Sequence, residues 1–586
     1  MKKISILLFA LLLATVAAQA QNVSVVYTGD TAVVTADGIA NQYLTITQSG
    51  AHVSIAQSSD LGTEITYNLS GTSTDGEFYM SGSYKATIEL NDLTLTNATP
   101  VYSGAAVHIQ NGKRIKVKVV TGTLNSLVDA SSGSQKGCLY IKGHAEFAQQ
   151  GTLNIVGNVK HGIKAGEYIT LKNATLNITS AVGDGISCNQ YFLMESGNVN
   201  ISGTGDDGIQ CDLDGDTSTG ETADHEDEDS GNIYIEDGIL VITCNATAAK
   251  GIKAAGDMNI SGGDITVTTS GGLYYNNGTT ENTNYTGNTD RISSDYYSSP
   301  KGIKAGVKTQ VGNSYTYGGG MVISGGKIKV TTSGYNGEGI ESKNYLNISG
   351  GEIYVDAYDD GINSAQNLTI TGGYVYSRSN NNDGIDANGN VYLNGGLVYA
   401  IGSHSPELGI DANSEEGKKV FINGGTVIAV GGVENGSSIS QATYRSSSVS
   451  SNTWYALSYG DEVIAFYVPQ VSTGGGPGGG GHGPGGGNSS GLVISVPTTP
   501  TLKSGVTASG TGIFENNCYL NATVSGGTAV SLTHIGGTVG IDSVEPGQTA
   551  GDQRVYTLDG RYLGTEVPAT FRGVYIQNGK KHINLY

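Results

Sequence analysis

Charge is scarce in this chain: only 14% of its 586 residues are Asp, Glu, Lys or Arg, and the imbalance among them leaves a net charge of −21. A surface of that sign repels a phosphate backbone, so nucleic acid is excluded as a partner and bound cations are favoured. Text of helical period is missing after the first twenty positions, which excludes helical folds and suits an elongated all-β protein. Long apolar runs are missing too: beyond residue 20 no run of eighteen apolar residues could form a transmembrane segment. Cysteine is sparse and odd in number, five in all, so at least one is unpaired within the chain, and no Cys/His spacing points to zinc.

The first twenty residues have their own layout. Lys2 and Lys3 precede an apolar run from Ile4 to Ala18, and Ala18-Gln19-Ala20 closes it, as in a cleavable signal peptide. A mature chain starting at Gln21 is expected, exported and soluble or held at the cell surface by something other than a helix.

What the chain has in abundance is glycine, 90 residues, and it is placed with a period. Gly-Ile recurs at Gly162, Gly185, Gly208, Gly251, Gly302, Gly339, Gly361, Gly384 and Gly409, and five of the eight spacings are 22 to 25 residues. The other three, 43, 51 and 37, equal one repeat plus an inserted polar loop. A second anchor, apolar-x-apolar-x-Gly-Gly, ends at Gly263, Gly326, Gly351, Gly373, Gly396 and Gly425, in phase with the first. Between the anchors apolar and polar residues alternate with period two, as in Ile353-Tyr354-Val355-Asp356, and the corners carry Gly, Asn and Asp, where φ is often positive. Short strands repeating every twenty-odd residues predict a right-handed parallel β-helix, each coil pairing with its neighbours.

The expected layout is therefore a signal peptide at 1–20, an N-terminal β cap and first coils at 21–100, the parallel β-helix at 101–430, and a small C-terminal β module at 431–541 with a Gly-rich loop at 474–487. Residues 542–586 follow as two hairpins. That last stretch, with Val555-Tyr556-Thr557-Leu558-Asp559-Gly560 and Gly573-Val574-Tyr575-Ile576, resembles the C-terminal sorting domains used by Bacteroidetes for type IX secretion; a plain terminal hairpin is the alternative.

Stacking turns each repeat position into a column with neighbours about 4.8 Å apart. Just before the repeat glycine stand His161, Asp184, Asp207, Lys250, Lys301, Glu338, Asp360, Asp383 and Leu408. Two residues after it stand Lys164, Ser187, Gln210, Lys253, Lys304, Glu341, Asn363, Asp386 and Asp411. Carboxylates so gather in two clusters, Asp184 with Asp206 and Asp207, and Glu338, Glu341, Asp359, Asp360, Asp383, Asp386 and Asp411. Oxygen-only ligands point to Ca²⁺, while Asp-Gly and Asn-Gly as plain turn formers are the other reading. The insertion at 212–229 holds nine acids in eighteen residues, and its Asp212, Asp214 and Asp216 open like a calcium loop without the closing Glu of an EF-hand. Three residues after their repeat glycines, Cys188 and Cys211 share a column with Ala165, Ala254 and Ser342; they are expected as buried thiols, or as a disulfide between coils.

A third column is aromatic. Tyr354, Tyr376 and Tyr399 are expected outward on three consecutive coils with Tyr374 beside them, either as a platform for a sugar chain or as a stack supporting the sheet. The insertion from Leu273 to Ser299, rich in tyrosine, could cover one face. Lys164, Lys253 and Lys304, each in Gly-Ile-Lys-Ala, either neutralise nearby acids or, with a lowered pKa beside calcium, abstract the proton α to a uronate carboxyl.

Taken together, Leu90-Asn91-Asp92-Leu93, His161-Gly162-Ile163-Lys164, Asp206-Asp207-Gly208-Ile209, Asp359-Asp360-Gly361-Ile362, the Ile-Ser-Gly-Gly turns and Leu502-Lys503-Ser504-Gly505 resemble the secreted bacterial carbohydrate-binding proteins with a calcium-binding, polysaccharide-lyase-like β-helix. The resemblance implies binding of a plant cell-wall polysaccharide, cellulose-like or polygalacturonate-like, Ca²⁺ along the helix, and no established catalysis. The acidic, Tyr-rich and Gly-rich insertions and the C-terminal extension depart from that pattern. A calcium-dependent polysaccharide lyase and an adhesive surface scaffold remain as alternatives.

Overall fold

The computed structural model describes residues 21–38, 40–213, 230–289, 292–404, 406–471 and 491–538, with short segments between 555 and 584. The expected signal peptide, the acidic stretch beyond Leu213 and the Gly-rich loop lie outside the described residues. The fold is all-β: helical structure among the described residues is confined to 3-10 turns at Ala40–Tyr43, Ser294–Tyr296 and Ser414–Glu416. Among the described residues no helix is long and apolar enough to cross a membrane.

Two large sheets of parallel-rich pairing, of 13 and 28 strands, carry the repeats. In the smaller, each Gly-Ile strand pairs in register with the next, so that Ile163, Ile186, Ile209, Ile252, Ile303, Ile340, Ile362 and Ile385 are successive partners. Ile209 pairs directly with Ile252 and Ile252 with Ile303, which places the extra residues of the long spacings outside the ladder. The larger sheet holds two further ladders, one through Met258–Ile260, Met321–Ile323 and Leu346–Ile348 and one through Asp264–Thr269, Lys327–Thr332 and Glu352–Ala357. Inward side chains of all three ladders form one continuous core from Val23 to Val433. Each buried Ile or Val contributes about 1.5–3 kcal/mol by leaving water.

The two glycine signals have different causes. The second residue of each Gly-Gly turn takes positive φ, from +81° to +88° in the six turns. The repeat glycine does not; it is small because the next repeat passes close. A Cβ on Gly302 would stand 2.2 Å from Val330 Cγ1 and 2.7 Å from the Gly339 carbonyl.

At the N-terminal end the ladders begin earlier than the glycine signal. Ala51–Gln57, Gly76–Ser81, Val107–Gln110 and Gly137–Ile141 already run parallel in the Gly-Ile sheet, capped by the antiparallel strand Leu44–Ser49. At the other end Thr453–Tyr459, Glu462–Val468, Thr501–Ile513 and Cys518–Val530 close into an antiparallel barrel. This barrel is not separate from the ladders: Tyr376, Tyr399, Ile428 and Val430 share a second core with its Tyr455, Phe466 and Phe514. Four short antiparallel strands between Val555 and Asn584 form a sheet of their own.

Candidate functional site

The outward face of the Gly-Ile sheet carries one unbroken row of side chains. By register it runs Tyr79, His108, Tyr140, Lys164, Ser187, Gln210, Lys253, Lys304, Glu341, Asn363 and Asp386. Its chemistry changes along its length, from aromatic to basic to acidic. The Tyr79 and His108 rings lie 4.8 Å apart and those of His108 and Tyr140 4.7 Å, with Tyr102 packed on Tyr79 at 5.7 Å. All four rings are half-buried and His108 is fixed at both nitrogens, to Ser103 Oγ at 2.7 Å and Gln110 Oε1 at 3.0 Å. Sequence reasoning missed this aromatic stretch because no Gly-Ile marks the strands before Gly162; extending the period backwards through Val107 and Phe78 would have found it.

Next in the row, the three Gly-Ile-Lys lysines are half-buried. Lys164 Nζ donates to Asn189 Oδ1 at 2.6 Å and Ser187 Oγ at 3.3 Å; Lys253 Nζ donates to Gln210 Oε1 at 3.0 Å and stands 3.3 Å from Asp207 Oδ2. Burial pushes Lys164 and Lys304 below the usual lysine range. Burial acts on Lys253 too, but Asp207 and Asp212 outweigh it and raise its pKa.

The column before the glycine joins one repeat to the next. Asp184 Oδ1 accepts from Asp207 N at 3.2 Å, Asp207 Oδ1 from Lys250 N at 2.7 Å, Asp360 Oδ1 from Asp383 N at 3.2 Å, and Asp383 Oδ1 from Leu408 N. His161 Nδ1 accepts from Asp184 N at 3.1 Å in the same way. One oxygen of each of these carboxylates is thereby committed to the fold, which accounts for much of the Asp periodicity.

The ten carboxylates of the two expected clusters fall into three groups. Asp184, Asp206 and Asp207 offer oxygens within 4.8 Å of one another, as do Asp383, Asp386 and Asp411. The third group, with the expected ligands Glu338 and Asp359, is paired differently, with lysine and a carboxamide beside the acids. Lys301 Nζ is 2.5 Å from Glu338 Oε1 and 3.6 Å from Glu341 Oε1, Lys343 also pairs with Glu341, and Asn382 donates to Asp359. Burial and Glu341 push Glu338 up to about 7, while Lys301, Lys343 and Lys304 outweigh burial and hold Glu341 well below its usual range. Lysine thus supplies positive charge there, while Glu338 Oε2 and Glu341 Oε2 stay buried without a hydrogen-bond partner.

In the Asp184 group, burial and then Asp207 push Asp206 up to about 6, and Lys253 partly neutralises Asp207. The Asp383 group is the more frustrated. Burial, then neighbouring carboxylates, push Asp360 and Asp383 well above their usual range, and burial together with Glu434 pushes Asp411 up to about 9. Asp411 Oδ1 is buried without a hydrogen-bond partner. Crowded, oxygen-only donors with an orphaned oxygen fit a hard divalent cation such as Ca²⁺, whose charge would remove the repulsion. Glu434, two repeats' worth of chain past the last Asp-Gly, adds a carboxylate that the spacing did not reveal.

The expected tyrosine platform is contradicted. Tyr354, Tyr376 and Tyr399 do align, with Tyr354 and Tyr376 stacked at 4.8 Å and Tyr376 and Tyr399 edge to face at 5.2 Å. Yet Tyr376 and Tyr399 are 1% and 0% exposed, because the barrel places Phe514 and Phe466 over them. Tyr399 Oη donates to the Tyr467 carbonyl at 2.7 Å. The stack fastens the barrel, the supporting role that was the other reading of this column; Tyr374, 40% exposed, lies at its edge. The cysteines are buried and free, with Cys188 and Cys211 Sγ 3.4 Å apart. The Tyr-rich insertion folds as a three-stranded sheet whose Ser298 accepts from Lys250 Nζ at 2.9 Å, so it covers the Lys250 position.

A polysaccharide lyase-like protein from C. thermocellum, solved as a gadolinium derivative, is similar in structure at 20% identity, covering 42% of this chain and 91% of that one with a TM-score of 0.33. No curated protein matches. A family model described as carbohydrate-binding domain-containing protein matches residues 40–380 and 317–463, well over half of the chain. This chain belongs to the carbohydrate-binding domain-containing protein family.

Proposed function

We propose that the protein is an exported, noncatalytic carbohydrate-binding protein whose ladders wind as a right-handed parallel β-helix and whose ligand lies along the outward row of the Gly-Ile sheet. The observation that carries this reading is the continuity of that row, in which the Tyr79, His108 and Tyr140 rings lead directly to Lys164, Lys253 and Lys304. Ring faces suit the apolar faces of sugars, and the lysines suit carboxylates or hydroxyls of the same chain. The ligand class is a plant cell-wall polysaccharide, either cellulose-like or acidic and polygalacturonate-like.

Net charge bears on the choice. A chain of −21 repels a polyuronate as a whole. An acidic ligand therefore needs the lysines and Ca²⁺ at the Asp383 and Asp184 groups to bridge the two sets of carboxylates. Retention of the protein on a polysaccharide panel, with Ca²⁺ and with excess EDTA, tests this. Calcium-dependent retention on pectate supports the acidic ligand, chelator-insensitive retention on cellulose the neutral one, and no retention on any polysaccharide overturns the reading.

A second reading, a calcium-dependent lyase, is favoured by one observation: burial lowers the pKa of Lys164 and Lys304 on the same face as the carboxylates. Growth of unsaturated-uronate absorbance during the pectate incubation would establish it. The strands between Val555 and Asn584 are proposed as a sorting segment for type IX secretion, a role checked by deleting them and following export.

A further inference from the structure

Tryptophan occurs once in the chain, at Trp454, and the fold spends it on a surface. Along Thr453–Tyr459 the inward position is taken by Tyr455, 2% exposed and stacked on Phe466 inside the barrel. Alternation turns Trp454 to the outside. The same alternation turns Tyr467 outward beside buried Phe466, and Tyr519 outward beside buried Cys518. Trp454 and Tyr467 are direct cross-strand partners, and Tyr519 pairs with Ala465 on the next strand. Three adjacent strands thus join their large aromatic rings on the outer face of the barrel, where polar residues are the norm for an antiparallel sheet. Trp454 and Tyr519 are near-parallel at 5.0 Å and 19°, and Tyr467 is tilted against Trp454 at 5.5 Å and 48°. All three are half-buried, with part of each ring open to solvent.

The patch is held rigidly and rimmed by carboxamides. Tyr399 Oη pins the Tyr467 carbonyl at 2.7 Å, so the strand under the ring is anchored to the ladders. Tyr467 Oη donates to Asn452 Oδ1 at 3.3 Å, and Asn452 Nδ2 donates to Gln470 Oε1 at 2.7 Å. Rigid stacked rings with neutral donors and acceptors beside them are complementary to the faces and hydroxyls of an uncharged sugar. A polyuronate is a poorer partner, since the hydrogen-bonding groups tied to the rings are amides and the chain as a whole carries −21. Tyr467 and Tyr519 lie beyond residue 463, where the family match ends.

We infer that Trp454, Tyr467 and Tyr519 form a second carbohydrate site, on the barrel, that takes a neutral, unbranched polysaccharide chain. This rests on the carbohydrate-binding reading but uses no residue of the Gly-Ile row and no calcium. It would let one molecule hold a neutral glycan at the barrel while the row engages another segment of the wall.

Because Trp454 is the sole tryptophan, indole emission of the whole protein reports this patch directly. Titration with cellohexaose, mannohexaose and xylohexaose in EDTA is expected to give, for at least one, a saturable change in emission. Tyr519→Ala should weaken that binding roughly tenfold or more, while leaving barrel folding, followed by far-UV circular dichroism, and the retention on polysaccharide of the Gly-Ile row intact. Emission unmoved by all three sugars overturns the proposal, as does a change of equal affinity in Tyr519→Ala. An emission change that tracks protein concentration rather than sugar identifies a second copy of the chain as the occupant and also overturns it. Loss of retention by the row with emission changes intact would instead overturn the primary reading alone.

Discussion

The carboxylate of Asp207 bridges two successive repeats: its Oδ1 accepts the backbone N–H of Lys250 at 2.7 Å although 43 residues separate them. The bond persists across the long acidic insertion, so the insertion leaves the stacking undisturbed. Replacing this acceptor should show whether the Asp column is structural. Asp207→Ala strands a buried donor and is expected to cost about 1–3 kcal/mol, seen as a lower melting temperature with calcium absent. Asp207→Asn retains an oxygen acceptor and should cost distinctly less. Equal losses would mean that charge pairing with Lys253 is the larger contribution.

The Asp383 group makes stability depend on pH in an unusual direction. Asp411 has a folded pKa pushed up to about 9, against about 3.9 for an unfolded aspartate. Between those values the folded state holds more protons than the unfolded one, so this group's contribution is full below pH 4 and is lost as pH rises towards 9. Calcium removes the need for that proton. The increase in melting temperature on adding Ca²⁺ should therefore be larger at pH 8 than at pH 5, and Asp411→Asn should narrow the difference. An identical calcium effect at both pH values would exclude this group as the site.

Tyr376 separates a supporting stack from a sugar platform. It is 1% exposed between Tyr354, Tyr399 and Phe514. Tyr376→Ala should destabilise the barrel interface by about 3–5 kcal/mol, as large-to-small changes of aromatic core residues do, with glycan retention unchanged where the protein stays folded. Differential scanning calorimetry and the polysaccharide panel read the two effects independently.

Two glycine substitutions test the account of the repeat. Gly302→Ala sets a methyl 2.2 Å from Val330 Cγ1 and is expected to cost about 1–3 kcal/mol through overpacking. Gly112, with open space where a Cβ would go and no positive φ, should accept alanine at little cost. Similar losses at both positions would contradict the explanation by close approach.

Much of this architecture was legible because the glycine of each Gly-Ile pair had one job. The Gly-Ile glycine meets a neighbouring repeat at every turn, so its position could not drift, and its spacing gave the strand register from Ile163 to Ile385 residue for residue. The earlier strands were expected as first coils but their register was not legible, since Val107 and Phe78 stand where Ile stands later but without the glycine that marks it. The tyrosine column was read with the right alignment and the wrong exposure. Alternation tells which face a side chain takes, but what covers that face comes from Phe514 and Phe466, far along the chain. The acidic column was visible as a column; that Lys301 reaches Glu338 and Glu341, while Asp411 has no lysine beside it among the described residues, depends on side-chain reach between repeats.

The most direct test of the central claim is affinity electrophoresis of wild type and a Tyr79→Ala/Tyr140→Ala double variant in gels containing the polysaccharide that retains the wild type. Neither side chain belongs to the core cluster that runs through the ladders, so the variant should keep its circular dichroism spectrum. On a polysaccharide that leaves Trp454 emission unmoved, and so is not held by the barrel patch, its retardation is expected to fall to that of a non-binding control. Undiminished retardation of a folded double variant would show that the outward row of the Gly-Ile sheet does not hold the polysaccharide.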